Sequence, residues 1–366
     1  MKSNSNQPTL SPVVAGIVLA AGKGTRMRST RPKVLHTVLG RPMVGWVLDS
    51  LAKAGVKHSV LVIGPDHSPF APFLQQHPEL ALAVQLRQKG TADAVAAAQG
   101  LFSSGNGARL IPYAEGSILR GHAMTATHVL ICAGDTPALD GEELSRFVTS
   151  HSTSDVAILG MEAADPKGYG RLVVVDGALT GIVEEKDADP ETKKIRLVNS
   201  GVVLARREVL FELLEQVTPN NAQGEYYLTD VVKLAYQQGY VTTAHVATDA
   251  NQFAGVNDRQ QLATLEEWML ARRQREIMTK GVTLRLPKTI YIEAGVDVGE
   301  DSSVAPGASL FGNTRIGRRC SIGAGVTLRD AVIGDEAVIG DGAVIISSKV
   351  EKGASVPALT HIQNGL

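Results

Sequence analysis

Gly16-Ile17-Val18-Leu19-Ala20-Ala21-Gly22-Lys23-Gly24-Thr25-Arg26-Met27 runs from an apolar, β-forming stretch straight into a glycine-rich turn that carries two cations. A strand that ends in glycines lets backbone N–H groups come close to phosphate oxygens, and arginine supplies opposing charge. The stretch predicts a first strand at 16–20 and a phosphate-binding loop at 19–27. A glycine-rich turn also serves as a plain tight connection, so the surrounding pattern has to decide.

Outward from the loop, short β-branched runs alternate with amphipathic segments. Strands are expected at 16–20, 59–63, 81–86, 129–133, 156–160, 202–205 and 242–246, with helices at 43–54, 91–101, 141–150, 208–216 and 230–238. This βαβ alternation predicts an α/β fold with a Rossmann-like, mostly parallel mixed sheet, whose ligands lie beyond the carboxyl ends of the strands. A helix at 258–278 follows, with Leu262, Leu265, Met269 and Leu270 on one face and Arg272, Arg273 and Arg275 read as solvated.

From Ile292 an aliphatic residue recurs at every sixth position: Ile292, Val298, Val304, Leu310, Ile316, Ile322 and Leu328, then, after a one-residue slip, Ile333, Ile339 and Ile345. Glycine follows several of them, which is the hexapeptide pattern of a short left-handed parallel β-helix, here about three coils. The expected organisation is a disordered leader at 1–12, a nucleotide-handling domain at 13–257, a connecting helix at 258–281 and the β-helix at 282–366.

With 366 residues, 44% of them apolar, and a net charge of −1, the chain can bury a large core but has no basic excess for a nucleic-acid backbone. Cys132 and Cys320 are far apart and belong to no metal-ligand cluster, and the nine histidines show no metal-binding spacing. The apolar run at 13–21 is too short to span a bilayer. A cytoplasmic protein with neither nucleic-acid nor membrane partners is expected.

The loop is followed by Arg31-Pro32-Lys33-Val34-Leu35-His36, and further motifs stand in order along the chain. They are Gly90-Thr91-Ala92, Gly134-Asp135-Thr136-Pro137, Gly168-Tyr169-Gly170-Arg171, Ile182-Val183-Glu184-Glu185-Lys186-Asp187, Asn199-Ser200-Gly201, Asn220-Asn221-Ala222-Gln223-Gly224-Glu225-Tyr226-Tyr227-Leu228-Thr229-Asp230 and Gly255-Val256-Asn257. Together they make residues 14–283 similar to the bacterial N-acetylglucosamine-1-phosphate uridylyltransferases. The resemblance implies attack by a sugar 1-phosphate on the α-phosphorus of UTP, with pyrophosphate leaving and Mg²⁺ assisting. Such chemistry asks for in-line positioning and charge neutralisation.

By matching position, the resemblance implies that Arg26 and Lys33 hold phosphates and stabilise the transition state, and that Asp135 and Asn257 ligate Mg²⁺. It gives nucleotide contacts to Leu19, Ala20, Ala21, Gly22, Gly24, Thr25, Gln85, Gly90 and Thr91, with Gln88 as a neighbouring candidate. It gives N-acetylglucosamine 1-phosphate to Gly170, Glu184, Asn199 and Thr229, and it implies a homotrimer through the β-helix. Glucose 1-phosphate or dTTP would also suit the loop and Lys33, while the motifs at 184–187 and 223–230 favour the amino sugar. A non-catalytic nucleotide-binding scaffold is the reading from another class, and the joint presence of Arg26, Lys33, Asp135 and Asn257 weighs against it.

Three departures from the family stand out. Lys352 to His361 reads as a worn copy of the motif of an acetyltransferase half, with Ala358 at the place of its histidine, so a truncated form without acetyl transfer is expected. Ala133 stands where the family usually has tyrosine. An insertion at roughly 103–127 precedes the strand that delivers Asp135.

Overall fold

The computed structural model describes residues 12–102, 119–120 and 124–364. The leader apart from Pro12, and the insertion apart from 119–120 and 124–127, lie outside the described residues. Contacts divide the chain into two units. The first runs to Leu35 and resumes over Met43–Asn257, while the second takes His36–Pro42 together with everything from Asp258.

The first unit is a mixed sheet flanked by helices. Its strands are β1 Val14–Leu19, β2 Ser59–Ile63, β3 Ala81–Val84, β4 His128–Ala133, β5 Val156–Glu162, β6 Arg171–Val175, β7 Ala178–Val183, β8 Leu197–Arg206 and β9 Thr242–Val246. Helices α1 Met43–Lys53, α2 Thr91–Ala96, α3 Gly141–Ser150, α4 Arg207–Leu214 and α5 Asp230–Gln237 connect them. The sheet order is β7-β6-β8-β4-β1-β2-β3, ending on Leu119–Arg120, with β5 also beside β8 and β9 beside β5. β4, β1, β2 and β3 pair in parallel, so their carboxyl ends share one edge. β8 runs antiparallel to β4 and β5.

The central strands are apolar on both faces because both are covered. Ile17, Val60, Val62 and Ile131 point into one buried cluster, and Val18, Leu61, Ile63, Leu130 and Cys132 into the other. Burial pushes the Cys132 thiol up to about 12, and Cys320 is likewise buried and free, so both act as small apolar residues.

Local chemistry sets several limits that differ from the sequence reading. The helix expected at 91–101 stops at Ala96 and gives way to a 3-10 turn, Gln99–Phe102, and the one expected at 208–216 spans Arg207–Leu214. The β6–β7 hairpin was not expected. It turns on Asp176 (φ 50°) and Gly177 (φ 82°), the backbone of a tight two-residue hairpin loop.

In the second unit, α6 (Arg259–Thr279) leads into a left-handed parallel β-helix of three sheets with five, five and four strands. The coils begin at Leu284, before the first expected hexad, and reach Ile362, so four coils are complete rather than three. The period hides the extra coil because Ile345 to Val350 repeats the five-residue step already seen at Leu328 to Ile333. Each in-phase aliphatic stacks on its counterpart one coil away, as in Ile292, Leu310, Leu328, Ile345 and Ile362. The glycine after the aliphatic is a steric requirement: a Cβ at Gly340 would lie 2.4 Å from the amide nitrogen of Ala358 in the next coil.

His36–Pro42 straps onto this unit. Leu39 N donates to Glu266 Oε1 at 2.8 Å, Ala294 N donates to Leu39 O at 3.0 Å, and a Cβ on Gly40 would lie 2.4 Å from the Glu293 carboxyl carbon. Arg273, expected to be solvated, instead lies against the first coil and donates to Val296 O at 2.5 Å, its side chain 20% exposed. No helix among the described residues is long and apolar enough to cross a membrane.

Candidate active site

The loop after β1 closes on Lys33. Gly24 is left-handed (φ 56°), and a Cβ there would lie 2.8 Å from the Lys33 Cβ, so both conformation and space call for glycine. Lys33 itself opens a 3-10 turn, Lys33–Leu35. β4 ends at Ala133, the register partner of Leu19. Gly134 N then donates to Leu19 O at 2.9 Å, and Val256 N donates to Asp135 O at 2.9 Å, which brings Asn257 beside Asp135.

At this junction Lys33 Nζ donates to Asp135 Oδ2 and, at 3.3 Å, to Asn257 Oδ1. Both members of the Lys33–Asp135 ion pair are largely buried, 15% and 16% exposed. One carboxylate and one amide oxygen therefore converge on a single cationic position. That donor set suits a hard ion such as Mg²⁺, which keeps several waters and takes further oxygens from phosphate. No group of three or more His, Cys, Asp or Glu side chains able to hold a metal exists among the described residues.

A cleft of about 530 Å³ opens beside them, lined by Leu19 to Thr25, Lys33, Val34, Gln85, Gln88, Gly90, Thr91, Ala94, Ala133, Asp135 and Glu225. The Gln85 amide donates to Gly90 O at 2.9 Å and Asp93 Oδ2 at 2.8 Å. Both partners are pure acceptors, so they claim the NH₂ group and leave the Oε1 acceptor outside these two bonds. Gly90 has φ 124° and ψ −179°, and a Cβ there would lie 2.4 Å from Tyr226 O. The backbone passes so tightly because Tyr226 N donates to Lys89 O and Ala92 N donates to Tyr226 O. Arg26 is exposed on its turn and does not line the cleft.

Gly170, Glu184, Asn199 and Thr229 form a second cluster. Thr229 Oγ1 donates to Glu184 Oε1 at 3.1 Å, Asn199 N donates to Gly170 O at 2.8 Å, and a Cβ on Gly170 would lie 3.3 Å from both Glu184 carboxylate oxygens. Burial raises the Glu184 carboxyl above the ordinary glutamate range, opposed by the Thr229 hydroxyl; Asp187 and Asp230 raise it further, and Arg171 lowers it. The two clusters adjoin through the chain: Leu228 N donates to Thr91 Oγ1 at 2.9 Å, one residue before Thr229.

The model of the MobA-like NTP transferase domain matches residues 16–224. Curated relatives named bifunctional protein GlmU are similar over most of the chain. The Geobacter metallireducens protein is 38% identical over 87% of this chain and 64% of its own length. The Pelobacter propionicus protein is 36% identical over 96% and 73%, and the Mycobacterium marinum protein 37% over 96% and 69%. The chain belongs to the NTP transferase family, among the GlmU proteins. It spans between 64% and 73% of the length of these relatives. A bacterial transferase hexapeptide model of six repeats matches residues 313–347, within the coils. The fold is also shared with a Bacillus anthracis structure described as a glucose-1-phosphate thymidylyltransferase in complex with sucrose, with TM-score 0.53, 19% identity and coverage of 70% of this chain and 94% of that one.

Within this transferase fold the cleft contains Lys23, Val34, Ala94 and Glu225, to which the sequence reading gave no role. Glu225 belongs to the motif that ends at Asp230, but its place in the lining depends on the pairing of Tyr226 with Lys89 and Ala92, which no local pattern announces. Gln88 joins the lining and donates to Ala21 O at 2.6 Å, tying the two loops together.

Proposed function

We propose that the protein transfers a uridylyl group from UTP to N-acetylglucosamine 1-phosphate, releasing pyrophosphate. The observation that carries this reading is the convergence of Lys33, Asp135 and Asn257 beside the glycine-rich loop. Backbone N–H groups at Ala21 to Thr25 hold the triphosphate, and Arg26 adds charge at its outer side. Lys33 neutralises phosphate oxygens in the transition state, an interaction that strengthens as charge develops. Asp135 and Asn257 would hold Mg²⁺, which when bound would supply charge neutralisation on the phosphates. The free acceptor of Gln85 and the backbone at Gly90 and Thr91 read the uracil edge. Glu184, Asn199, Thr229 and the bare backbone at Gly170 hold the amino sugar, so the sugar phosphate is oriented for in-line attack.

Support for the amino sugar comes from the second cluster, whose carboxylate and amide suit hydroxyl and acetamide groups. Assembly into a homotrimer through the coils is proposed with it. Pyrophosphate release measured with UTP or dTTP against N-acetylglucosamine 1-phosphate, glucose 1-phosphate and other sugar 1-phosphates tests the reading. Preference for UTP and the amino sugar is expected; preference for glucose 1-phosphate or dTTP overturns it.

A further inference from the structure

The open end of the β6–β7 hairpin is closed by an ion pair outside the proposed contact set. The last register pair there is Arg171 with Val183, so Gly170 and Glu184 face each other just beyond it. The Arg171 side chain is 2% exposed. Its guanidinium donates to Tyr169 O and, at 2.6 Å, to Glu185 Oε2, with a longer contact of 3.5 Å to Lys193 O. Glu185 Oε2 also accepts from Gly168 N at 3.3 Å. One guanidinium therefore joins three chain segments: the turn before Gly170, the residue after Glu184, and the loop end at Lys193.

Burying an arginine is expensive unless its charge is matched and its donors are used, and an apolar pair would close a hairpin at lower cost. A planar fork with a fixed charge does something an apolar pair cannot, since it sets the relative positions of the backbones it joins. We propose that Arg171 and Glu185 are positioning residues for the sugar phosphate: their pair keeps the Glu184 carboxylate over the bare backbone of Gly170. This inference rests on the reading of the second cluster as the sugar subsite. Neither residue touches substrate in this arrangement. Their effect passes through the adjacent residues Gly170 and Glu184, and the nucleotide cleft is built from other segments.

The test is Glu185→Gln, which keeps the size and the acceptor but removes the charge at a side chain 30% exposed. With UTP and N-acetylglucosamine 1-phosphate as probes, the KM for the sugar phosphate is expected to rise about tenfold, as misplacement of a contact group does, while the KM for UTP stays within about twofold. Glu185→Asp, which restores the charge, is expected to recover part of the loss. An unchanged KM for the sugar phosphate, or a parallel rise in both KM values, overturns the proposal. A wild-type protein inert toward every sugar 1-phosphate would defeat the functional reading instead. Hydrogen exchange then decides the positioning role on the free protein: amides at 183–187 should exchange faster in Glu185→Gln while those at 88–93 do not, and equal exchange overturns it.

Discussion

Gly90 and Gly340 would each place a Cβ 2.4 Å from backbone of another segment, yet they sit in opposite surroundings. Gly340 is one of a row, for Gly299, Gly317, Gly323 and Gly334 make similar close approaches at coil corners. Gly90 stands alone, where one loop meets Tyr226 at the rim of the cleft. The coils hold their shape by repetition, with aspartates such as Asp335 and Asp341 each accepting a backbone N–H from the coil before. The cleft holds its shape by single contacts between segments distant in sequence. Repetition suits a scaffold, whereas singular contacts are what a chemical site requires.

The sharpest way to break this comparison is at the cation position. Lys33→Ala or Asp135→Ala should lower kcat about 10³-fold with the circular dichroism spectrum unchanged. Asp335→Ala in the coils should cost about 1 kcal/mol of stability and leave kcat alone. A retained kcat in Asp135→Ala would contradict the metal assignment. Next in size, Gly90→Ala should destabilise by about 3 kcal/mol, from a glycine-only backbone and a backbone clash, and denaturant unfolding measures it.

Acidification probes the second cluster. In the proposed reaction ionised Glu184 would accept from sugar hydroxyls, so kcat/KM for the sugar phosphate should fall with pH by up to about tenfold per unit, beginning above the ordinary glutamate range, because burial raises this carboxyl. Stability carries the opposite sign. Between the unfolded and the raised folded pKa the native state binds the proton more tightly, so stability grows as pH falls through that window, and Glu184→Gln should raise the melting temperature at pH 7. A melting temperature lowered by Glu184→Gln would refute the burial argument. The smallest effect is expected at Leu359, which is 83% exposed and left-handed (φ 60°) at the corner where earlier coils have Gly325 and Gly342. Leu359→Gly should gain about 1 kcal/mol in thermal unfolding.

The sequence was most readable where one residue class repeats or one motif is contiguous. The hexads announced the β-helix, and strands such as Ser59–Ile63 and Thr242–Val246 fall where alternation puts them. The β6–β7 hairpin had a legible signal, Asp176-Gly177 between β-branched runs, that went unused. Convergence of Lys33 with Asp135 and Asn257 had no local signal and was expected from the family resemblance alone, because these partners are 102 and 224 residues away and meet through the ends of β1 and β4 and the Val256 amide. Arg171 and Glu185 stood in the motifs at 168–171 and 182–187 without a role of their own, since burial of a guanidinium is a property of the fold and not of local spacing.

The strap at His36–Pro42 carries a consequence for the order of synthesis. It leaves the ribosome more than 200 residues ahead of Glu266 and Ala294, the groups it bonds in the second unit. The strap thus waits for partners made long after it, a non-local closure that slows completion of this otherwise local, coil-upon-coil architecture. A fragment starting at Asp258 would lack the carbonyl of Leu39 that the Ala294 amide uses, and a peptide covering 36–42, added in trans, is what should restore it.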